Sequence, residues 1–320
     1  MQSNKSKKGI QWDKYMVYVI FVVVFVLFAV VLGDEGFLNP NNLINILRQT
    51  AMISIMAIAG TFVMAAGQID LTVGSVTAMT AMIAALIIQS TDNIILAVAA
   101  GVGFGCAVGM INGLLVTRLK LPAFLATLGM MQIVRGAAMW ITDTAAVPIG
   151  NAAFNKIFGI GSVAGIPVLI LWTILFYIAG ILLFNKTAFG RHTLATGGNE
   201  MSAIYSGIKT AKVKVIAFTM SGAFAAFAGI MYAGRMQAGR YSYGDGDEMS
   251  VIASVVLGGT SMAGGTGSVI GALFGSILMG MINNALILAG LSSAQQTMVK
   301  GAIIILAVAI SNLTQRKKER

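Results

Sequence analysis

The sequence predicts an all-α membrane protein, a polytopic bundle of about ten transmembrane helices, some short or broken, with both termini in the cytoplasm. The first observation is composition: 57% of the 320 residues are hydrophobic, 10% are charged and the mean hydropathy is +0.86. A soluble domain has about 25% charged residues, so this chain requires lipid around it. The second observation is a series of long apolar stretches, and the third is a set of short basic clusters between them.

Ten stretches approach the roughly 20 apolar residues that a spanning helix needs. They are residues 15–32, 51–66, 71–89, 94–116, 121–141, 167–184, 215–233, 249–259, 268–289 and 298–313. The first follows Lys5, Lys7 and Lys8 and has no small-residue cleavage pattern at its end, so we interpret it as an uncleaved anchor. The eighth is short, and a re-entrant segment is the alternative there.

The basic residues test this arrangement. With the N-terminus in the cytoplasm, the cytoplasmic segments carry 15 basic residues and the external segments carry four, namely Arg48, Lys156, Arg235 and Arg240. This asymmetry agrees with the positive-inside rule. The net charge of +10 is spread over short clusters without interleaved aromatic residues, so the predicted partner is the lipid bilayer and not a nucleic acid.

The chain reads as one transmembrane domain over residues 1–320, because no segment has the composition of a soluble domain. The longest predicted cytoplasmic loop covers residues 185–214. A weak internal repeat is suggested by the tetrapeptide GMIN, which occurs at 109–112 and again at 280–283. It divides the chain into halves of about 1–165 and 166–320, and such repeats are common in transporters.

The sequence contains no set of residues for catalysis. No phosphate-binding Gly-x-x-x-x-Gly-Lys-Ser/Thr motif occurs, and the chain has one histidine, His192, and one cysteine, Cys106. One Cys and one His cannot complete a zinc site, and a single loop histidine cannot activate a nucleophile inside the membrane. We therefore predict no catalytic residue, no metal and no cofactor in this chain.

Few charged residues fall in or beside the apolar stretches. Asp70 lies between the second and third stretches, and we interpret it as the N-cap of the third helix, with an ion or proton site as the alternative. Arg135 is predicted to extend outward or to pair within the bundle, and Lys300 to reach the external surface. A proton relay is difficult to build from so few groups, so the energy for transport would come from a partner.

The segment 190–207 predicts a short helix at the cytoplasmic surface. Asn199 is a suitable N-cap, Glu200 suits the positive end of the helix dipole, and Gly207 can end the helix in a left-handed conformation. The resulting helix, over residues 200–206, has two turns. It is either a simple interfacial helix or one that docks into a cleft on a soluble motor.

Three segments together resemble a known family. They are GQIDLTVGS at 67–75, the run from Gly190-Arg191 through GGNE at 197–200 to SGI at 206–208, and VLGGTSMAGGTG at 256–267 with INN at 282–284. They are similar to permease subunits of bacterial ABC monosaccharide importers, most of all the ribose and allose type. Thr72 replaces the more usual Ser, and Thr266-Gly267-Ser268 replaces Lys-Gly-Arg.

The resemblance implies a multi-pass permease of the bacterial cytoplasmic membrane that is not itself an enzyme. It implies three protein partners: a second copy of the permease, a cytoplasmic ATPase that binds ATP and Mg, and an external sugar-binding protein. The implied coupling residues are Gly190, Arg191, Gly198, Asn199, Glu200, Ala203 and Gly207. The implied structural or pathway residues are Asp70, Gly74, Ser75, Gly258, Gly259, Thr260 and Asn283.

Two other classes remain open on the residues alone. One is an ion-coupled secondary transporter with helices broken at Asp70 and at Gly258-Gly259. The other is a membrane scaffold or receptor that transports nothing. If the importer interpretation holds, the external loop 234–249 is a candidate docking site, because Arg235 and Arg240 could meet carboxylates on the binding protein.

Overall fold

The computed structural model describes residues 12–318, so Lys5, Lys7 and Lys8 lie outside the described part of the chain. The helices are α1 (Trp12–Val31), α2 (Pro40–Ala65), α3 (Val73–Thr91), α4 (Ile94–Thr117), α5 (Ala123–Trp140), α6 (Ala152–Asn155), α7 (Val168–Lys186), α8 (Ala188–Gly198), α9 (Glu200–Tyr205), α10 (Thr210–Met236), α11 (Asp247–Leu257), α12 (Val269–Leu288) and α13 (Ser293–Lys318). A π-helical turn, Lys156–Ile160, continues α6.

Every predicted apolar stretch falls on a helix. Seven helices of the described chain are long and apolar enough to cross a membrane, namely α2, α3, α4, α5, α7, α10 and α12. A shorter apolar segment, Val17–Val31, lies in α1. The eighth stretch is α11, whose 11 residues extend only about 16 Å at 1.5 Å per residue. The hydrocarbon core is about 30 Å thick, so α11 cannot cross it alone.

The centre of the bundle is formed by α2, α3 and α10, with α4 packed closely on α10. Glycines make this contact possible: a Cβ on Gly105 or on Gly222 would overlap the backbone of the other residue. Ser54 of α2 and Ser276 of α12 share a hydrogen bond of 2.6 Å inside the core. Small residues at membrane helix contacts let the backbones approach closely.

Four short strands complete the fold. Strands β2 (Ser162–Val163) and β3 (Ile166–Pro167) form a hairpin before α7. Strand β1 (Val147–Pro148) pairs with β4 (Ala238–Gly239), in antiparallel register, between α5 and α11. The β1–β4 pair ties the connection after α5 to the connection between α10 and α11.

The predicted loop 185–214 is mostly helical, because it contains α8 and α9. Thr187 begins α8, and its Oγ1 accepts a hydrogen bond from the Gly190 N–H at 3.4 Å. A Cβ on Gly190 would overlap the carbonyl of Phe184, so glycine lets α8 fold back on the end of α7. The weak internal repeat, with halves of about 1–165 and 166–320, stays a prediction.

Candidate functional site

The short helix α9 has the predicted caps. The Asn199 Oδ1 accepts a hydrogen bond from the Ser202 N–H at 2.9 Å. At the other end Gly207 has φ +82° and donates to the Ile204 carbonyl, while Ile208 donates to the Ala203 carbonyl. This pair of bonds is a Schellman motif. The predicted helix is confirmed, and it ends at Tyr205, one residue before the predicted end.

One side of α9 is anchored to the protein. Ala203 is buried, and Lys214 at the start of α10 donates to Glu200 at 2.8 Å. Partial burial alone would raise the pKa of Glu200, but the hydrogen bond and charge of Lys214 outweigh it and the pKa is lowered. Glu200 is therefore ionised at neutral pH and holds α9 against α10.

The other side of α9 is apolar and exposed. Met201, Ile204 and Tyr205 are 59%, 46% and 83% exposed. They lie at positions i, i+3 and i+4, which place side chains on one face of a helix. Arg191, on the neighbouring helix α8, is also exposed. A projecting apolar face on a capped two-turn helix is suited to insertion into a partner.

The three segments that carry the family resemblance meet directly behind α9. We call their contact the glycine junction, which consists of Gly67, Gly197, Gly198, Gly264 and Gly265. A Cβ on Gly197 would overlap the carbonyl oxygen of Ala65, and Gly265 donates to that same oxygen at 2.9 Å. The end of α8 is thereby locked to the α2–α3 turn and to the α11–α12 turn.

The α11–α12 turn is built by the predicted glycine motif. Gly258 follows α11, and a Cβ on it would overlap the first turn of α12. Gly259 has φ +85°, and the Thr260 Oγ1 accepts from the Ser268 N–H at 3.3 Å. The eighth and ninth apolar stretches are thus separate helices, joined by this turn.

The prediction that Asp70 caps α3 is wrong. The helix begins at Val73, and its N-cap residue is Thr72, which makes no side-chain capping bond. Asp70 lies two residues earlier and is buried, and its Oδ1 accepts from the Thr72 N–H at 2.9 Å and from the Thr72 Oγ1 at 2.6 Å. Asp70 therefore shapes the turn before α3 and not the helix end itself.

Thr72 connects this turn to α4. Its Oγ1 also accepts from the Asn112 Nδ2 at 3.1 Å, so the hydroxyl links the carboxylate of Asp70 to an amide of the bundle. A serine would carry the same hydroxyl, which explains why Thr72 satisfies the family pattern. Ser75 donates to the Thr72 carbonyl at 3.0 Å and closes the first turn of α3.

The connection between α10 and α11 is folded into the bundle. We call residues 237–246 the inserted loop. A Cβ on Gly74 would overlap the Gly244 carbonyl, so the loop touches the first turn of α3. Arg135 on α5 donates to the carbonyl oxygens of Tyr241 and Tyr243 and lies 4.0 Å from Asp245. The alternative in which Arg135 pairs within the bundle is thus the correct one.

The predicted exposed loop 234–249 requires a correction at Arg235. Arg235 belongs to the last turn of α10 and lines a cavity of about 360 Å³, whereas Arg240 is exposed. Lys300 lines the same cavity, and its predicted reach to the external surface stays a prediction. Tyr232 and Asp247 line this cavity too, and the Tyr232 hydroxyl donates to the Asp247 carboxylate at 2.8 Å. Both basic side chains therefore have polar neighbours in the cavity.

Several polar residues that line this cavity, or a second one beside α5, were not predicted from the sequence. Asn283 was predicted, and it lines the 360 Å³ cavity with a buried Oδ1 that has no hydrogen-bond partner in residues 12–318. The unpredicted residues are Gln132, Tyr232, Asp247 and Glu248. Two features of the sequence could have indicated some of them: a glutamine in the middle of an apolar stretch, and an acidic pair directly before the shortest apolar stretch.

Comparisons with known proteins agree with this architecture of membrane-spanning helices. Residues 42–308 match the model of the protein family described as branched-chain amino acid transport system / permease component. The ribose import permease protein of Escherichia coli is 39% identical over 92% of this chain and 93% of its own length. The ribose import permease protein of Bacillus subtilis is 39% identical over 99% of this chain and 98% of its own.

A relative named for another sugar is similarly close. The L-arabinose transport system permease protein of Escherichia coli is 36% identical over 96% of this chain and 93% of its own length. No solved structure matches. The fold and site are those of a multi-pass membrane permease. The chain belongs to the branched-chain amino acid transport system / permease component family.

Proposed function

We propose that this chain is the transmembrane permease of an ATP-driven importer for a ribose-like monosaccharide. In this proposal it works as a homodimer in the bacterial cytoplasmic membrane, with ten membrane segments and both termini inside. A separate ATPase binds ATP and Mg, and an external binding protein delivers the sugar. The observation that carries the proposal is the glycine junction, where three segments that lie far apart in the sequence meet next to the exposed, capped helix α9.

The coupling role of α9 follows from its contacts. Its exposed face, formed by Met201, Ile204 and Tyr205, requires a partner to remove it from water. Gly197, at the end of α8 just before α9, has no room even for a Cβ. Displacement of α8 and α9 must therefore also displace the α2–α3 turn and the α11–α12 turn. Movement of the ATPase would therefore reach α2, α3, α11 and α12 together.

The importer is favoured over an ion-coupled transporter by the environment of Asp70. The Asp70 Oδ1 accepts two hydrogen bonds from Thr72, whose hydroxyl accepts one from Asn112. A proton relay would need a series of titratable groups, and neither Thr72 nor Asn112 titrates. The relatives named for ribose and arabinose support the substrate class.

Transport energetics test the proposal directly. The permease, its ATPase and its binding protein, encoded together, are reconstituted in vesicles and supplied with labelled D-ribose or L-arabinose. We expect accumulation that requires ATP on the ATPase side and the binding protein on the other, and that survives collapse of the proton gradient. Accumulation that persists without ATP and disappears with the proton gradient would establish the ion-coupled alternative. Absence of any sugar movement would favour the scaffold.

A further inference from the structure

The outward face of α5 carries a polar residue at the middle of a membrane-spanning helix. Gln132 lies at the midpoint of Ala123–Trp140 and its side chain is exposed in the single chain. Nearby, Asp245 on the inserted loop is 84% exposed. Polar and charged groups at this depth are costly against lipid and normally face a cavity or another protein surface. This face of α5 therefore borders water or protein, not hydrocarbon.

A cavity of about 320 Å³ opens on that face. Its lining comes from α5, the inserted loop and α11, and consists of Met131, Gln132, Arg135, Met139, Tyr241, Ser242, Asp245 and Glu248. Ligand pockets are commonly about 300–1,000 Å³, so this volume suits a small molecule. The three elements are held together by Arg135, which donates to two carbonyl oxygens of the inserted loop.

The hydrogen-bonding groups of the cavity suit a neutral, hydroxyl-rich ligand. Arg135 is already occupied by the inserted loop, and two carboxylates, Asp245 and Glu248, line the cavity, so an anion would be repelled. The Glu248 Oε2 is buried beside Gly74 and accepts no hydrogen bond from any described residue. The Glu248 carboxylate also lines the cavity, where it can accept a hydrogen bond from a ligand hydroxyl.

Gln132 adds an amide that both donates and accepts hydrogen bonds, which is what vicinal hydroxyls require. Tyr241 and the two methionines supply apolar surface for the C–H groups of a sugar ring. We propose that this cavity is a monosaccharide-binding subsite in the permease itself, where Gln132 and Glu248 bind the sugar. The inference rests on the proposed transport function and identifies where along the route the sugar is held.

Protection from a thiol reagent tests the subsite. Cys106 is the only cysteine in the sequence, so Cys106→Ala gives a background without thiols. Ser242→Cys is then introduced and the complex, in vesicles without binding protein, is treated with a charged, membrane-impermeant thiol reagent. The probe is whichever of D-ribose, L-arabinose and D-xylose the wild-type complex takes up. At a sugar concentration of twice the Kd, mass action predicts about threefold slower labelling.

Matched variants separate binding from accessibility. Ser162→Cys lies on the exposed β2 strand outside the cavity, and sugar should leave its labelling rate unchanged. Adding Gln132→Leu or Glu248→Gln to Ser242→Cys should remove the protection. Gln89→Leu, an exposed glutamine near the end of α3, should not.

Each failure has a distinct meaning. If the wild-type complex shows ATP-dependent uptake but no probe sugar slows labelling of Ser242→Cys, the subsite is wrong and the transport function stands. If the reagent labels Ser162→Cys but never reaches Ser242→Cys, the aqueous placement of the cavity is wrong. If no sugar is taken up with ATP, the proposed function itself fails.

Discussion

At the scale of single residues, Asp70 determines how the chain enters α3. Its carboxylate oxygen Oδ1 accepts two hydrogen bonds from Thr72, and Thr72 in turn accepts one from Asn112. This series of bonds fixes the turn between α2 and α3 in a place closed to water. The geometry requires an acceptor at Oδ1, and nothing in these contacts requires a negative charge.

We therefore expect Asp70→Asn to fold and transport nearly as well as the wild type, because the amide oxygen can accept the same two bonds. Asp70→Ala should destabilise the protein by about 1–3 kcal/mol, since it leaves the Thr72 donors unpaired. Thermal unfolding of the purified complex and sugar uptake measure the two variants. Loss of uptake in Asp70→Asn at normal expression would contradict this account and support an ion site.

Glu200 gives the coupling helix a pH-dependent anchor. Its pKa is lowered in the folded protein, through Lys214, so the stabilisation is fully present above the unfolded pKa and is lost as pH falls through the folded pKa. We expect wild type and Glu200→Gln to differ in unfolding temperature at neutral pH and to converge only below the folded pKa, which lies under the ordinary value of 4.5. A difference that persists unchanged in acid would show that the pair is not the cause.

At the scale of elements, the exposed face of α9 predicts how the ATPase is held. Ile204→Ser and Tyr205→Ser together replace two large exposed side chains without touching the buried anchor at Ala203. Binding of the ATPase subunit should weaken by at least about tenfold, which corresponds to 1.4 kcal/mol of lost apolar contact. Ser202→Ala on the same helix is the control. Co-purification that is equal in both variants would exclude this face as the docking surface.

The glycine junction gives a sharper element-scale prediction, because two adjacent glycines differ in their surroundings. A Cβ on Gly197 would overlap the Ala65 carbonyl, whereas a Cβ on Gly198 would lie 3.6 Å from the nearest atom of Gly265. Gly197→Ala should cost about 1–3 kcal/mol by overpacking and uncouple ATP hydrolysis from transport.

Gly198→Ala, an ordinary van der Waals contact, should retain both stability and coupling. The ratio of sugar accumulated to ATP hydrolysed is measured in vesicles for both variants, and it should fall in Gly197→Ala only. Equal ratios would mean that the junction does not transmit the motion.

At the scale of the whole molecule, the sequence predicted what depends on local chemistry. Apolar length located every helix that could span, and Asn199 and Gly207 located the ends of α9 because caps act within one turn. The helix α8 was missed because its glycines oppose helix formation, and its packing on α7 is tertiary.

Long-range contacts account for the other differences. The inserted loop has mixed charges that are typical of a solvated surface, and it is its contacts with distant residues, Gly74 and Arg135 among them, that draw it into the bundle. The N-cap of α3 was predicted two residues too early, at Asp70, and the Thr72 hydroxyl that binds Asp70 is itself held by Asn112, which lies 40 positions further along the chain. Such pairings cannot be read from neighbouring residues.

In the proposed importer, α9 couples a separate ATPase to sugar movement through this permease. Ala203 donates to the Asn199 carbonyl at 3.0 Å, so Ala203→Pro removes a bond inside α9 and costs about 3 kcal/mol in that helix. Vesicles holding the complete importer, with wild type or Ala203→Pro, are compared for ATP-dependent sugar accumulation and for sugar-stimulated ATP hydrolysis. We predict that the variant inserts normally and loses both activities. Full accumulation and full stimulation in Ala203→Pro would contradict the account.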